Sequence, residues 1–348
     1  MPKNRNYTHM KAMMSKDALS SLLNTTAEEV NSKGTAINEE FISDKKFPIV
    51  YKASQAGMIL SEWVRNNQRK IENDLHQYAG ILFRNFQVSA LADFQQAVRA
   101  FSEDLLPYTQ RSSPRTELEN RVYTSTDHPA DQVINMHNEL SYSHQWPLRI
   151  MFCCLIPADQ GGETPITDSR SVYQDLSEST RDKFERKGIM YQRNLRREMG
   201  LPWEEVFQTH DRAKVEEECE QKGIQYAWKG DHDFQMRWYR PAVQHHPRTH
   251  EKVWFNHAFF FNAHHLQGML EGAMTHDDIP FNTFYGDGSP IEKEVMTELE
   301  EVYNKNKVIF RWRRGDVLLL DNMMAAHGRN PFEGERKVVV AFWKEHSA

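Results

Sequence analysis

The stretch "INMHNELSYSHQWPLRIMFCCLIPADQGGETPITDSR", residues 134–170, joins a polar segment rich in metal-ligating side chains to a continuous apolar run and a Gly-Gly turn. By length and composition "PLRIMFCCLIP" reads as a buried strand. "GGETPITDSR" then supplies a tight turn and a strand that re-enters the sheet. A strand covered on both sides needs partners on either side of it, and the rest of the chain offers them.

Upstream, "SEWVRNNQRKIENDLHQYAG" has a serine that can cap a helix and a glycine, Gly80, that can end one. "ILFRNF" follows as a short strand, and "SALADFQQAVRAFSEDLL" has apolar residues at helical spacing. Downstream, residues 171–223 are strongly charged and helical in pattern, which predicts a helical insert or lid between strands. Strands resume in "FQMRWYRPAVQHH" and "KVWFN". The helix pattern of "SPIEKEVMTELEEVYNKN" places Ser289 at the N-cap and Pro290 at the first helical position. "VIFRWRRGDVLLLDN" and "RKVVVAFW" are the last strands. This order lacks the regular strand-helix alternation of a doubly wound sheet. It predicts a mainly β fold with flanking helices, compatible with a double-sheet jelly roll. Residues 1–45 are polar, with short helical patterns at Lys16 to Leu23 and Thr26 to Ser32, and predict an N-terminal arm; residues 46–348 predict a single domain.

The chain has 348 residues, 39% of them apolar and 26% charged, which fits a folded globular protein rather than a disordered one. Its net charge of −6 gives no footprint for a polyphosphate backbone and argues against nucleic acid as partner. No apolar run reaches the ~18 residues of a membrane span, and the N-terminus has no signal-peptide pattern. A cytoplasmic protein is the expectation. Cys153, Cys154 and Cys219 are too few and too badly spaced for a disulfide framework and read as reduced core thiols.

On a strand, residues two apart share a face, so His137 and Glu139 project together while Asn138 points away. That is half of a chelate. His327, at the end of the apolar strand in "GDVLLLDNMMAAHGRN", is the best third ligand. Two histidines and a carboxylate form the facial triad of a non-haem Fe(II) oxygenase, with positions left open for cosubstrate and oxygen. The same residues also fit a solvated polar strand and a satisfied core histidine, the reading given to His245-His246 and His264-His265. Arg336, nine residues after His327, would place one cation on an otherwise apolar strand face with Val338, Val340 and Phe342. A guanidinium there suits the distal carboxylate of 2-oxoglutarate. Asn135 and Ser141, on the strand face of His137, are candidate substrate-pocket residues. Tyr142, His144 and Trp146 are candidates for the mouth, and Arg240 for a carboxylate or, better, a structural ion pair.

Three segments in order, "MHNELSYSHQWPLRIMFCCLIPADQGGETPITDSR", "VWFNHAFFFNAHH" and "RWRRGDVLLLDNMMAAHGRNPFEGERKVVVAF", resemble the taurine dioxygenase-like family of Fe(II)/2-oxoglutarate oxygenases. Within it the chain looks most like the syringomycin-type aspartyl hydroxylase branch of amino-acid hydroxylases. The resemblance covers roughly residues 75 to 345 and implies a double-stranded β-helix with a helical insert over the active-site mouth. It implies His137, Glu139 and His327 as metal ligands, Thr164 and Arg336 as 2-oxoglutarate contacts, and O2 as oxidant. It also implies a small-molecule substrate, an amino acid that is either free or tethered to a carrier protein. Many members have Asp where this chain has Glu139, though some relatives carry Glu. The taurine enzyme has a second arginine at the position of Val340, which makes a sulfonate substrate improbable here. The acidic ligand disfavours a halogenase.

Hydroxylation, desaturation and cyclisation differ only in the fate of the substrate radical and stay open. A jumonji-type hydroxylase would hold 2-oxoglutarate differently. A zinc hydrolase would want a motif such as H-E-x-x-H, and "THDD" at 275–278 has a helix-cap reading. An inactive scaffold of the same fold would be expected to have lost a ligand.

Overall fold

The computed structural model describes residues 36–108, 115–196, 201–230, 232–266 and 279–347. Its largest sheet has eight strands in the order Ile37–Phe41, Ile49–Ala53, Gly80–Arg84, Val317–Asp321, Gln145–Ile156, Lys337–Ser347, Val122–Thr124 and Glu117–Glu119. Only the pairing of Ile49–Ala53 with Gly80–Arg84 is parallel in this sheet. The central strand, Gln145–Ile156, is buried along nearly its whole length because it is covered twice. Ile150, Phe152 and Cys154 face an inner core with Leu318, Leu320, Val338, Val340 and Phe342. Met151, Cys153 and Leu155 point the other way, against Val64, Ile71, Phe94 and Val98 of two helices, Leu60–Tyr78 and Leu91–Phe101. The adjacent cysteines therefore lie in different cores, and all three cysteines are free and buried.

Facing the inner side of this sheet is a three-stranded sheet, Ile134–His137, Ala325–Arg329 and Ile166–Asp168, in that order. A four-stranded sheet, ordered Gln225–Lys229, Asp233–Arg240, Ile189–Leu195, Phe281–Tyr285, packs with the helices Glu178–Lys187 and Lys293–Asn306 around a third core. The architecture is a double-stranded β-helix flanked by helices.

Several element expectations are corrected. The helix at 60–78 starts one residue before Ser61, which is buried inside it, and ends at Ala79 in the left-handed region (φ 58°) rather than at Gly80. Gly80 instead opens a strand, where an added Cβ would lie 2.8 Å from Leu320 Cδ2. Ser289 is no N-cap: the helix begins at Lys293, and the Ser289 hydroxyl donates to Asp287 instead. Residues 171–223 are not a purely helical insert, because Ile189–Leu195 is an inner strand of the four-stranded sheet. Ile37–Phe41, inside the expected N-terminal arm, is an edge strand of the large sheet, with four of its five residues exposed. The patterns at 16–23 and 26–32 and the "THDD" segment lie outside the described residues. No helix among the described residues is long and apolar enough to cross a membrane.

Candidate metal centre

His327 sits mid-strand in Ala325–Arg329, paired directly with His137 on one side and with Ile166 on the other. Direct opposition on antiparallel strands brings side chains together, and the two imidazole rings lie 4.5 Å apart between centroids. Glu139 arrives by a different route from the one expected. The strand stops at His137, and Glu139 lies in a turn that contains Leu140 at φ 55°. Asn322 pins that turn: its Oδ1 accepts from Glu139 N–H at 2.7 Å, and its Nδ2 donates to Glu139 C=O at 2.8 Å. The outcome is that ligand atoms of His137, Glu139 and His327 lie within 4.8 Å of one another, all three residues buried. Asn138 is turned away, its amide donating to Ser169 Oγ and to the carbonyl of Asn322.

The donor set suits a divalent metal. The Nδ1 of His137 lies 2.8 Å from the Asn135 carbonyl, which fixes the tautomer and leaves Nε2 with its lone pair. His327 has a buried Nδ1 with no hydrogen-bond partner among the described residues. Burial pushes both imidazoles below their ordinary pKa, His327 strongly, and so favours the neutral form that can ligate. A second cluster, His76, His246 and Asp321, also has ligand atoms within 4.8 Å. There Arg149 already donates to Asp321 at 2.6 Å and approaches His76 Nε2 at 3.0 Å, so a guanidinium fills the place a cation would take.

The triad opens on a cleft with about 580 Å³ of empty space, its solvent mouth included. Thr164 and Arg336 line the same cleft. Thr164 Oγ1 accepts from Trp312 Nε1 at 3.0 Å, leaving its own hydrogen to donate. Arg336 lies one residue ahead of its strand, with Nε donating to the Gly162 carbonyl at 2.9 Å. Burial, and then the neighbouring Arg329, bring its guanidinium down to about 10. It forms no ion pair among the described residues, and Glu163 nearby accepts from Asn330 instead. A half-buried guanidinium with no carboxylate partner among the described residues suits an anion in the cleft. Gly162 makes room for it: at φ 69°, an added Cβ would come within 2.9 Å of Arg336 Cδ.

The other candidates lie elsewhere. Neither Asn135 nor Ser141 lines the cleft; because the strand ends at His137, Ser141 leaves its face and hydrogen-bonds His257 Nδ1 at 2.6 Å. Tyr142 and Trp146 are core residues rather than mouth residues, 3% and 1% exposed, and His144 is not among the cleft residues. Arg240 forms no ion pair among the described residues and stacks over Trp146 at 5.5 Å. Among the described residues of 171–223, none lines the cleft. Sequence reasoning passed over Arg115, Phe152, Phe260 and Arg329, all of which line the cleft. Of these only Arg115 stood outside the segments that carry the family resemblance; Phe152, Phe260 and Arg329 lay inside them without being singled out.

Known proteins resemble this chain in sequence and in fold. The model of the "Taurine catabolism dioxygenase TauD, TfdA family" matches residues 45–343. The dapdiamide synthesis protein DdaC of Enterobacter agglomerans is 35% identical over 275 residues, 78% of this chain and 84% of that protein. A clavaminate synthase-like protein of Arabidopsis thaliana is 28% identical over 326 residues, 88% and 96% of the two chains. Among solved structures, PvcB of Pseudomonas aeruginosa superposes with a TM-score of 0.54 at 15% identity, covering 89% of this chain and 92% of that one. AAD-2 in complex with Mn(II) and N-oxalylglycine gives 0.52 at 13% identity, covering 88% and 96%. The two structural likenesses speak for the fold.

Proposed function

The chain belongs to the TauD, TfdA family of dioxygenases, and from that premise we propose that it hydroxylates an unactivated carbon of an amino acid or amino-acid-derived small molecule. Its cofactor is Fe(II) and its cosubstrate 2-oxoglutarate. His137, Glu139 and His327 hold the metal, and Arg336 with Thr164 holds the far carboxylate of 2-oxoglutarate. The observation that carries this assignment is the meeting of all five side chains in one cleft. When bound, the metal supplies the redox chemistry that couples oxidative decarboxylation of 2-oxoglutarate, to succinate and carbon dioxide, with delivery of one oxygen atom to the substrate.

The protein's own part is orientation and exclusion of water. Neutral His137 and His327 offer lone pairs from opposed strands, and Glu139 adds a negative charge from a clamped turn. Arg336 supplies a fixed positive charge, and Thr164, oriented by Trp312, supplies a donor beside it. Phe152, 5.0 Å from the His327 ring, and Phe260, 4.7 Å from that of His137, keep the inner wall apolar. The name of the dapdiamide synthesis relative supports an amino-acid-derived substrate.

Anaerobic addition of Fe(II) and 2-oxoglutarate should give a visible charge-transfer band. The His137→Ala, His327→Ala double variant should lack it; a band that survives sinks the triad. Arg336→Ala should weaken 2-oxoglutarate binding at least tenfold while metal binding persists. Under oxygen, a screen of free and carrier-tethered amino acids for succinate release and a mass gain of one oxygen identifies the substrate, and a loss of two hydrogens instead would replace hydroxylation by desaturation.

A further inference from the structure

One cation in the cleft has no task in this scheme. Arg115 is buried and donates through Nη2 to Glu139 Oε2 at 2.6 Å. Its guanidinium lies over the rings of Tyr108 and Phe342, 4.5 and 5.1 Å from their centroids, which holds it in place. Its Nε and Nη1 are buried with no hydrogen-bond partner among the described residues. Leaving such donors unpaired is costly, so the arrangement points to an acceptor that enters the cleft.

The other two guanidinium groups there are anchored on backbone carbonyls, although Arg329 also has a buried Nε with no partner among the described residues. Arg329 donates to the carbonyls of His128, Pro129 and Gln132. Arg336 faces the Gly162 carbonyl and the cosubstrate position. Three arginines thus line the cleft against one carboxylate, Glu139. A divalent metal and dianionic 2-oxoglutarate cancel each other's charge and leave the surplus positive.

We infer that Arg115 is the substrate-recognition residue, receiving a carboxylate of the substrate on its free N–H groups while Nη2 stays on Glu139. The substrate therefore enters as a carboxylate; for a carrier-tethered amino acid, whose own carboxyl is in the thioester, that group belongs to the side chain. This rests on the proposed use of the same cleft. It also places the substrate one guanidinium away from a metal ligand, which fits oxidation at a carbon near the carboxylate.

The test uses the full chain, held anaerobically with Fe(II) and 2-oxoglutarate, and titrated with propionate or with propionamide as the uncharged isostere. Propionate should perturb the charge-transfer band saturably and propionamide should not. Arg115→Gln should still form the band and lose the propionate response at least tenfold, with Arg115→Lys in between. An equal response to the amide, no response to propionate, or an undiminished response in Arg115→Gln overturns the assignment. If Arg115→Gln does not fold, the wild-type comparison of acid and amide decides alone. Absence of the band from the wild type would instead overturn the metal and cosubstrate reading, and this inference with it.

Discussion

Glu139 reaches its place because Asn322 substitutes side-chain hydrogen bonds for the strand pairing that ends at His137. The amide of Asn322 holds both backbone groups of Glu139 and also the Pro147 carbonyl at 2.8 Å. Asn322→Ala leaves those groups unpaired in a buried turn, a cost of about 1–3 kcal/mol. It also frees the carboxylate to wander, and loss of such a supporting partner weakens metal binding roughly 10–100-fold. Denaturant unfolding and a Co(II) titration measure the two effects; unchanged Co(II) affinity would show that the turn needs no clamp. The expected pairing of His137 with Glu139 thus rested on a strand that does not extend so far. His137 and Glu139, which the structure does bring together, were legible because H-x-E lies within a family-like motif, while the assumed strand carried Ser141 onto their face. Arg115 was not legible at all. It stands in coil, in "SSPRTEL", and its meaning comes from Glu139, Tyr108 and Phe342, contacts that no local spacing encodes.

At the scale of elements, the Gly-Gly turn does more than reverse the chain. Gly162 takes a positive φ of 69° and leaves no room for a side chain beside Arg336 Cδ and Ala158 Cβ, while its carbonyl accepts from Arg336 Nε. Gly162→Ala should push the guanidinium off its position and raise the Kd for 2-oxoglutarate at least tenfold, with Co(II) affinity close to wild type, since among the described residues Gly162 hydrogen-bonds only Pro331 and Arg336 and none of the three candidate metal ligands. Isothermal titration reads both; a parallel loss of metal binding would mean that the substitution disturbs the whole sheet. Strands such as Gln145–Ile156 were legible from their unbroken apolar run, because burial on both faces leaves that signature. Helix starts were not. Ser61 and Ser289 have the composition of caps, but Ser61 is packed inside its helix and Ser289 bonds Asp287 ahead of the true start. The strand Ile189–Leu195 was hidden because "IMYQRNL" carries polar residues that tertiary partners satisfy, such as Asn194, whose amide donates to the Ile279 carbonyl at 2.7 Å.

Over the whole molecule, a buried charge network beside Asn322 ties the large sheet to the helix Leu60–Tyr78 and to His246, next to the turn that leads into the strand of His327. Asp321, at the end of Val317–Asp321, accepts from Arg149 on the neighbouring strand at 2.6 Å and lies 3.1 Å from His246 Nε2. Arg149 reaches on to Glu72 and His76 of the helix Leu60–Tyr78, at 2.9 and 3.0 Å. Asp321 also caps the turn toward His327 by accepting from Met323 N–H at 3.1 Å. Burial raises the pKa of this carboxyl, but Arg149 and then His246 outweigh it and hold the group at about 2. A folded-state pKa below the unfolded value of ~3.9 means that the folded protein binds the proton less readily than the unfolded chain. The carboxylate therefore adds ~2–3 kcal/mol of stability, fully present above about pH 5 and lost as pH falls through 4 toward 2. Asp321→Asn removes that dependence. The stability gap between wild type and Asp321→Asn, from urea unfolding at pH 7, 5, 4 and 3, should be constant at the two upper values and shrink at the lower two. A gap that holds steady down to pH 3 would mean that Asp321 is not held ionised by Arg149, and that the large sheet and the helix Leu60–Tyr78 are joined by packing alone.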